Sequence, residues 1–156
     1  PTTHHKRLES PLSGALSMKF ARLDPAAKPP VRKNPSDAGM DVYALSGIAI
    51  PPFSAGIVRT GLTMEIPEGY CLQAWPKSGS DFLLGAGIID AGYQGEIKIK
   101  LINYRPEPLE ILQGQAVAQL VLVQIGDFET GRIEELPLTE IHPKRSARGA
   151  EGGINR

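Results

Sequence analysis

Apolar and polar positions alternate with a period of two along several short stretches of the chain. Leu62, Met64 and Ile66 alternate with Thr63 and Glu65, and Ile97, Ile99 and Leu101 alternate with Glu96, Lys98 and Lys100. Successive side chains of a strand point to opposite faces, so each run predicts a strand with one buried and one polar face. Cys71, between Tyr70 and Leu72, reads as a strand residue of no redox importance, and Trp75 as a packing anchor beside the segment Pro76-Lys-Ser-Gly79. Val117 to Ile125 is almost continuously apolar, broken only by Gln119 and Gln124. That run predicts a strand buried on both faces, either central to the core or passing into a subunit interface. Turn signals separate the runs at Ile50-Pro-Pro52, Pro67-Glu-Gly69, Ala91-Gly92, Arg105-Pro106 and Gln113-Gly114. The spacing predicts an all-β sandwich or barrel, with at most one short helix around Ser80 to Leu84.

The flanks lack this pattern. Residues 1–17 contain His4-His5 and small polar residues and read as a flexible N-terminal extension or an appended remnant. Pro25, Pro29, Pro30 and Pro35 predict extended coil from Leu23 to Ser36. Residues 142–156 are basic at Lys144, Arg145 and Arg148, then glycine-rich, and read as a mobile arm. The folded domain is expected over 18–141.

Composition narrows the function. With 17 Gly and 14 Pro in 156 residues, the chain is punctuated too often for an all-α fold, and 41% hydrophobic residues suffice for a core. The 17 Lys and Arg balance the 17 Asp and Glu, so no positive field exists to hold nucleic acid or an anionic membrane. One cysteine excludes an internal disulfide framework and a paired-cysteine metal knuckle. No apolar run approaches the ~18 residues that span a bilayer, and the expected location is cytoplasmic.

Three clusters of small residues carry candidate chemistry: Asp37-Ala-Gly-Met-Asp41, Pro76-Lys-Ser-Gly-Ser80 and Arg148-Gly-Ala-Glu-Gly-Gly153. The latter two combine a cation with glycines and a hydroxyl or backbone amides, the groups that let a loop approach phosphate oxygens. A fourth stretch, Gly87-Ile-Ile-Asp-Ala-Gly-Tyr-Gln-Gly-Glu96, sets Asp90 ahead of a turn bearing Tyr93. A carboxylate there is placed to deprotonate a water and the aromatic to stack on a sugar or base; alternatively Asp90 caps a hairpin and Tyr93 covers its core edge.

Taken in order, these segments resemble the five motifs of the trimeric dUTP pyrophosphatases (dUTPases). Asp37–Asp41 matches the first, Pro76–Gly79 the second, Gly87–Asp90 through Tyr93–Glu96 the third, and Gly114–Leu120 the fourth. Arg148–Gly152 matches the fifth in part. The resemblance implies a jelly-roll-like β-barrel forming a homotrimer with exchanged C-terminal arms, and Mg²⁺-assisted hydrolysis of dUTP to dUMP and pyrophosphate. It implies that Asp90 activates the attacking water and that Tyr93 packs against the deoxyribose and leaves no room for a ribose 2′-hydroxyl. Uracil is then read by the hairpin around Gly87, Ile89 and Asp90 to Ile97. Lys77, Ser78, Gly79 and Gln119 bind the phosphates, Asp41 supports the site, and Arg148 and Gly149 close over the γ-phosphate. Mg²⁺ rides on the triphosphate without direct protein ligands.

The chain departs from that pattern at Lys77 and Ala116, each where arginine is usual, at Gly92 in place of a second acid, and at Gly153 in place of an aromatic. The loop from Gly79 to Gly87 is shorter than the family's. Three alternatives follow: a non-catalytic nucleotide-binding trimer, a deoxynucleotide pyrophosphatase of relaxed specificity, and a relative of dCTP deaminase. The last lacks its catalytic glutamate, since Lys100 stands at that position.

Overall fold

Strands account for almost all the regular structure in a computed structural model of the chain, which describes residues 17–126, 133–142, 144 and 147. They are β1 (Lys19–Arg22), β2 (Gly39–Tyr43), β3 (Ile48–Ile50), β4 (Ser54–Arg59), β5 (Leu62–Glu65), β6 (Tyr70–Trp75), β7 (Leu83–Leu84), β8 (Gly87–Asp90), β9 (Lys98–Asn103), β10 (Leu109–Ile111) and β11 (Ala116–Gln124). All pairings are antiparallel and make four sheets: β1-β5, β10-β3, β2-β11-β6-β8 and β4-β9-β7. The chain divides after Ile125 into two compact units. In the second, a single turn of helix, α1 (Leu138–Ile141), has no buried residue.

The two-residue alternation builds the core as expected. Leu62, Met64 and Ile66 are buried, as are Ile97, Ile99 and Leu101, while Glu65, Lys98 and Lys100 face solvent. In β11 burial on both faces holds only for the first half: Val117, Ala118 and Leu120 are buried, but Val121 to Val123 are half-buried and Ile125 is exposed. Cys71 is a buried strand residue, as its position predicts.

Two expectations are overturned. No helix forms at Ser80 to Leu84; Phe82 inserts into the core, and Leu83 and Leu84 pair with Ile102 and Leu101 of β9. The stretch between Gly79 and Gly85 is too short to repay helix nucleation, whereas β9 offers backbone partners at once. Trp75 does not enter the core: it is 51% exposed and its indole N–H donates to Gln73 Oε1 at 3.0 Å. Leu72 and Ala74 take the core face of β6, so Trp75 falls on the outer one.

One buried polar side chain ties the turns together. Asn103 Nδ2 donates to the carbonyls of Ile50, Pro51 and Glu107 at 3.1, 3.2 and 2.9 Å, and its Oδ1 accepts from Arg105 N–H at 3.1 Å. Asn103→Leu leaves these groups unpaired in the interior, and a loss of roughly 3 kcal/mol of stability is expected in urea unfolding. A loss under ~0.5 kcal/mol would show that the amide is dispensable.

Candidate functional site

The Pro76–Ser80 loop turns where β6 ends. Ser80 N–H donates to the Lys77 carbonyl at 3.3 Å, and Gly79 takes φ +82, a left-handed conformation that suits glycine. The turn swings Lys77 back to β2, where its Nζ lies 2.6 Å from Asp41 Oδ1. Asp41 is buried, and Lys33 Nζ stands 3.5 Å from its other oxygen. That oxygen, Oδ2, is the one buried side-chain oxygen or nitrogen among the described residues without a hydrogen-bond partner.

Gln119 completes the cluster from β11, where it lies opposite Asp41 on one side and Trp75 on the other. Its Nε2 donates to the Pro76 carbonyl at 3.0 Å. Its side chain crosses β2 over Gly39, where a Cβ would stand 2.7 Å from Gln119 Oε1, so a larger residue there would push the amide aside. Lys33, Asp37, Asp41, Lys77, Ser78 and Gln119 thereby line one polar cavity of about 220 Å³. Two ammonium groups, a hydroxyl and an amide converge there, a donor set suited to phosphate oxygens. Tyr43, two residues along β2, has its phenol pushed up by burial first and the Asp41 charge second, with Lys77 opposing.

Asp90 and Tyr93 lie elsewhere. Asp90 ends β8 opposite Cys71, exposed, while Gly87 pairs with Ala74 and half-buried Ile89 with Leu72. Tyr93 N–H closes the turn onto the Asp90 carbonyl at 3.0 Å. The Tyr93 hydroxyl donates to the Glu96 carbonyl at 2.6 Å, and its ring lies over Gly95, where a Cβ would come within 2.5 Å of the hydroxyl oxygen. Beside it runs a groove of about 450 Å³, lined by the Ala91–Gln94 turn, Lys19–Ala21 and Thr63–Glu65. Asp90 shares a sheet face with Asp41 and Gln119, but three strands across and four residues along from Asp41, roughly 20 Å away. Trp75, Ile88, Val121 and Val123 occupy the same face, Trp75 and Ile88 exposed.

The sequence-predicted residues therefore fall into two groups: Asp41, Lys77, Ser78 and Gln119 around one cavity, and Asp90 and Tyr93 at the other end of the sheet. Arg148 and Gly149 lie outside the described residues. Sequence reasoning missed Lys33. Lys33 sits in proline-rich coil, which carries no periodic signal, and its isolated bridge from Val31 to Asp41 is what brings it in. The described residues hold no group of three His, Cys, Asp or Glu able to bind a metal, and no helix long and apolar enough to cross a membrane.

Residues 26–152 match the family model described as dUTPase. A deoxyuridine 5′-triphosphate nucleotidohydrolase of Mycobacterium leprae is 36% identical over 147 residues, 88% of this chain and 96% of the relative. The mitochondrial enzyme of that name from Homo sapiens is 32% identical over 139 residues, 86% of this chain and 55% of the relative. Among solved structures, a dUTPase variant from Staphylococcus aureus phage phi11, described with a structural Mg(II) ion, superposes with TM-score 0.71 at 24% identity, covering 78% of this chain and 99% of its own. A dUTPase variant of Staphylococcus bacteriophage 80alpha, solved with dUpNHpp, gives 0.74 at 24% identity over 88% and 96%. These two show the fold, a jelly-roll-like β architecture.

Proposed function

The chain belongs to the dUTPase family, and from that premise we propose how its own residues hydrolyse dUTP to dUMP and pyrophosphate. The observation that carries the reading is the convergence of the first, second and fourth motifs on one polar cavity through Asp41, Lys77, Ser78 and Gln119.

In this reading the triphosphate lies along Lys77, Ser78, Gly79 and Gln119. Asp41 holds Lys77 in place, and a lysine here supplies charge without arginine's planar fork. Asp90 takes the proton of a water as its oxygen attacks the α-phosphorus; the bond to the bridging α–β oxygen breaks, and the electron pair leaves with pyrophosphate. Tyr93 packs against the deoxyribose, and uracil meets backbone groups of the hairpin between Gly87, Ile89 and Ile97. Arg148 and Gly149, on an arm of residues 142–156 following a domain of residues 18–141, cover the γ-phosphate.

The donor set fits a hydrated Mg²⁺ carried on the triphosphate better than a protein cage. Mg²⁺ keeps several waters, and Asp41, whose Oδ2 makes no hydrogen bond, would accept from one of them. When bound, the ion neutralises phosphate charge; positioning and proton removal fall to the residues above.

Asp90 stands roughly 20 Å across its own sheet from Asp41, on which the Lys77–Ser78 cavity is built. The site is therefore shared: one copy supplies Asp90 and Tyr93, another the Lys77–Ser78 cavity. The outer face bearing Trp75, Ile88, Val121 and Val123 is an apolar surface suited to burial between copies of a homotrimer.

The test is pyrophosphate release from dUTP, dCTP, dTTP and UTP with Mg²⁺, with the nucleoside product identified by mass. Selective conversion of dUTP to dUMP is expected. Comparable rates with all four would favour the relaxed enzyme to which the short Gly79–Gly87 loop points, and binding without turnover would leave a nucleotide-binding trimer.

A further inference from the structure

The hairpin that carries Tyr93 is not held by its own strands alone. Glu96, at its descending limb, points its carboxylate back to the turn between β4 and β5. Arg59 Nε lies 3.1 Å from both carboxylate oxygens, and Gly61 N–H donates to Oε2 at 3.0 Å. The Glu96 side chain is only 10% exposed, whereas that of Arg59 is 54% exposed. Gly61 takes φ +70, which aims its N–H at this carboxylate. The backbone carbonyl of Glu96 accepts the Tyr93 hydroxyl at 2.6 Å. A second tether runs in parallel: Thr63 Oγ1 donates to the Gln94 carbonyl at 3.2 Å, and Ile97 N–H to the Leu62 carbonyl at 2.8 Å.

We propose that the Arg59–Glu96 pair is a positioning device for Tyr93 and through it sets the discrimination between deoxyribose and ribose substrates. The proposal rests on the reading in which Tyr93 faces the sugar. An exposed ion pair contributes little to stability, but this one has a nearly buried carboxylate whose own backbone oxygen seats the tyrosine. Without Arg59 the carboxylate keeps a single donor, Gly61 N–H, for a charge that is mostly out of water. It turns toward solvent, and the peptide that carries the Glu96 carbonyl is then anchored only by the Ile97 N–H bond to Leu62, leaving the carbonyl free to shift. The Tyr93 hydroxyl then loses its acceptor, and a ring free to move off Gly95 no longer bars a 2′-hydroxyl. Arg59 and Glu96 touch no substrate in this account.

The experiment measures kcat/KM for dUTP and for UTP in the wild type and in Arg59→Ala, Arg59→Lys, Tyr93→Phe and the double variant Arg59→Ala with Tyr93→Phe, with thermal melting of each. Arg59→Ala and Tyr93→Phe are each expected to lower the dUTP:UTP ratio about tenfold, ~1.4 kcal/mol. The double variant should lose no more than either single one, since both break one chain of contacts, and Arg59→Lys should recover part of the ratio. A purely structural role would lower the melting temperature and leave the ratio alone. An unchanged ratio in folded Arg59→Ala, or losses that multiply in the double variant, overturns the proposal. Should Arg59→Ala not fold, Arg59→Gln carries the same test. A wild type with no preference for dUTP over UTP would overturn the reading of Tyr93 itself, and that shows before any Arg59 variant is measured.

Discussion

Asp90→Asn is expected to lower kcat for dUTP by about 10³-fold or more, while substrate affinity and thermal stability stay at wild-type values. The amide matches the carboxylate in shape and removes its ability to take a proton, and a positioned general base contributes roughly 10²–10⁴-fold. Stability should hold because the Asp90 side chain is exposed and enters no side-chain hydrogen bond among those described; its place in the sheet comes from backbone pairing with Cys71. Surface substitutions away from caps and networks stay within ~0.5 kcal/mol. Affinity should hold because in the proposed reading the phosphate contacts belong to Lys77, Ser78 and Gln119. Pyrophosphate release, calorimetric binding of dUTP and thermal melting check the three parts. Turnover within tenfold of wild type would remove Asp90 from the role of base, and a large rise in Kd would make it a binding residue instead.

The sequence made the elements legible wherever one face is core and the other solvent. Leu62–Met64–Ile66 and Ile97–Ile99–Leu101 could be assigned because a one-residue slip would turn each apolar set outward. The same rule misled at Trp75. A large aromatic beside apolar residues reads as core, yet strand register puts it outside, and register depends on partners far away in sequence. Ser80–Leu84 failed for a related reason, because its conformation is decided by β9, about twenty residues on. In the candidate site, Lys77, Ser78, Asp41 and Gln119 were legible as chemistry, but their convergence was not. It depends on β2 and β6 flanking β11 and on the room above Gly39. Lys33 was invisible because a single cation in coil carries no pattern. The separation of Asp90 from the Asp41 cavity was equally hidden, since the third motif follows the second by only a few residues. A chain that reverses from β6 into β8 nevertheless carries Asp90 back to the far end of the sheet.

That reversal leads to the second large effect. Asp90→Asn and Ser78→Ala are each expected to be inactive alone, and co-expression of the two should restore activity. In the shared site proposed above, one copy lends Asp90 and another Ser78, so a mixed assembly contains sites built from an intact Asp90 of the Ser78→Ala chain and an intact Ser78 of the Asp90→Asn chain. With free mixing of equal amounts in a closed homo-oligomer, about one site in four has both residues intact. Activity per site should therefore rise from near zero to roughly a quarter of wild type. The rise should depend on mixing before assembly and fall away when the two variants are purified apart and combined for a time short against subunit exchange. If each site were built within one chain, every site in the mixture would lack one residue and no activity would return. Size measurement of the mixture distinguishes that result from a simple failure to assemble: an oligomer of normal size without restored activity overturns the shared site. A monomer with wild-type dUTP turnover would do so too, because the roughly 20 Å between Asp90 and the Asp41 side of the cavity would then have to close within a single chain. Such a closure would have to break the antiparallel pairing of β6 with β8, which holds Gly87 opposite Ala74 and Asp90 opposite Cys71.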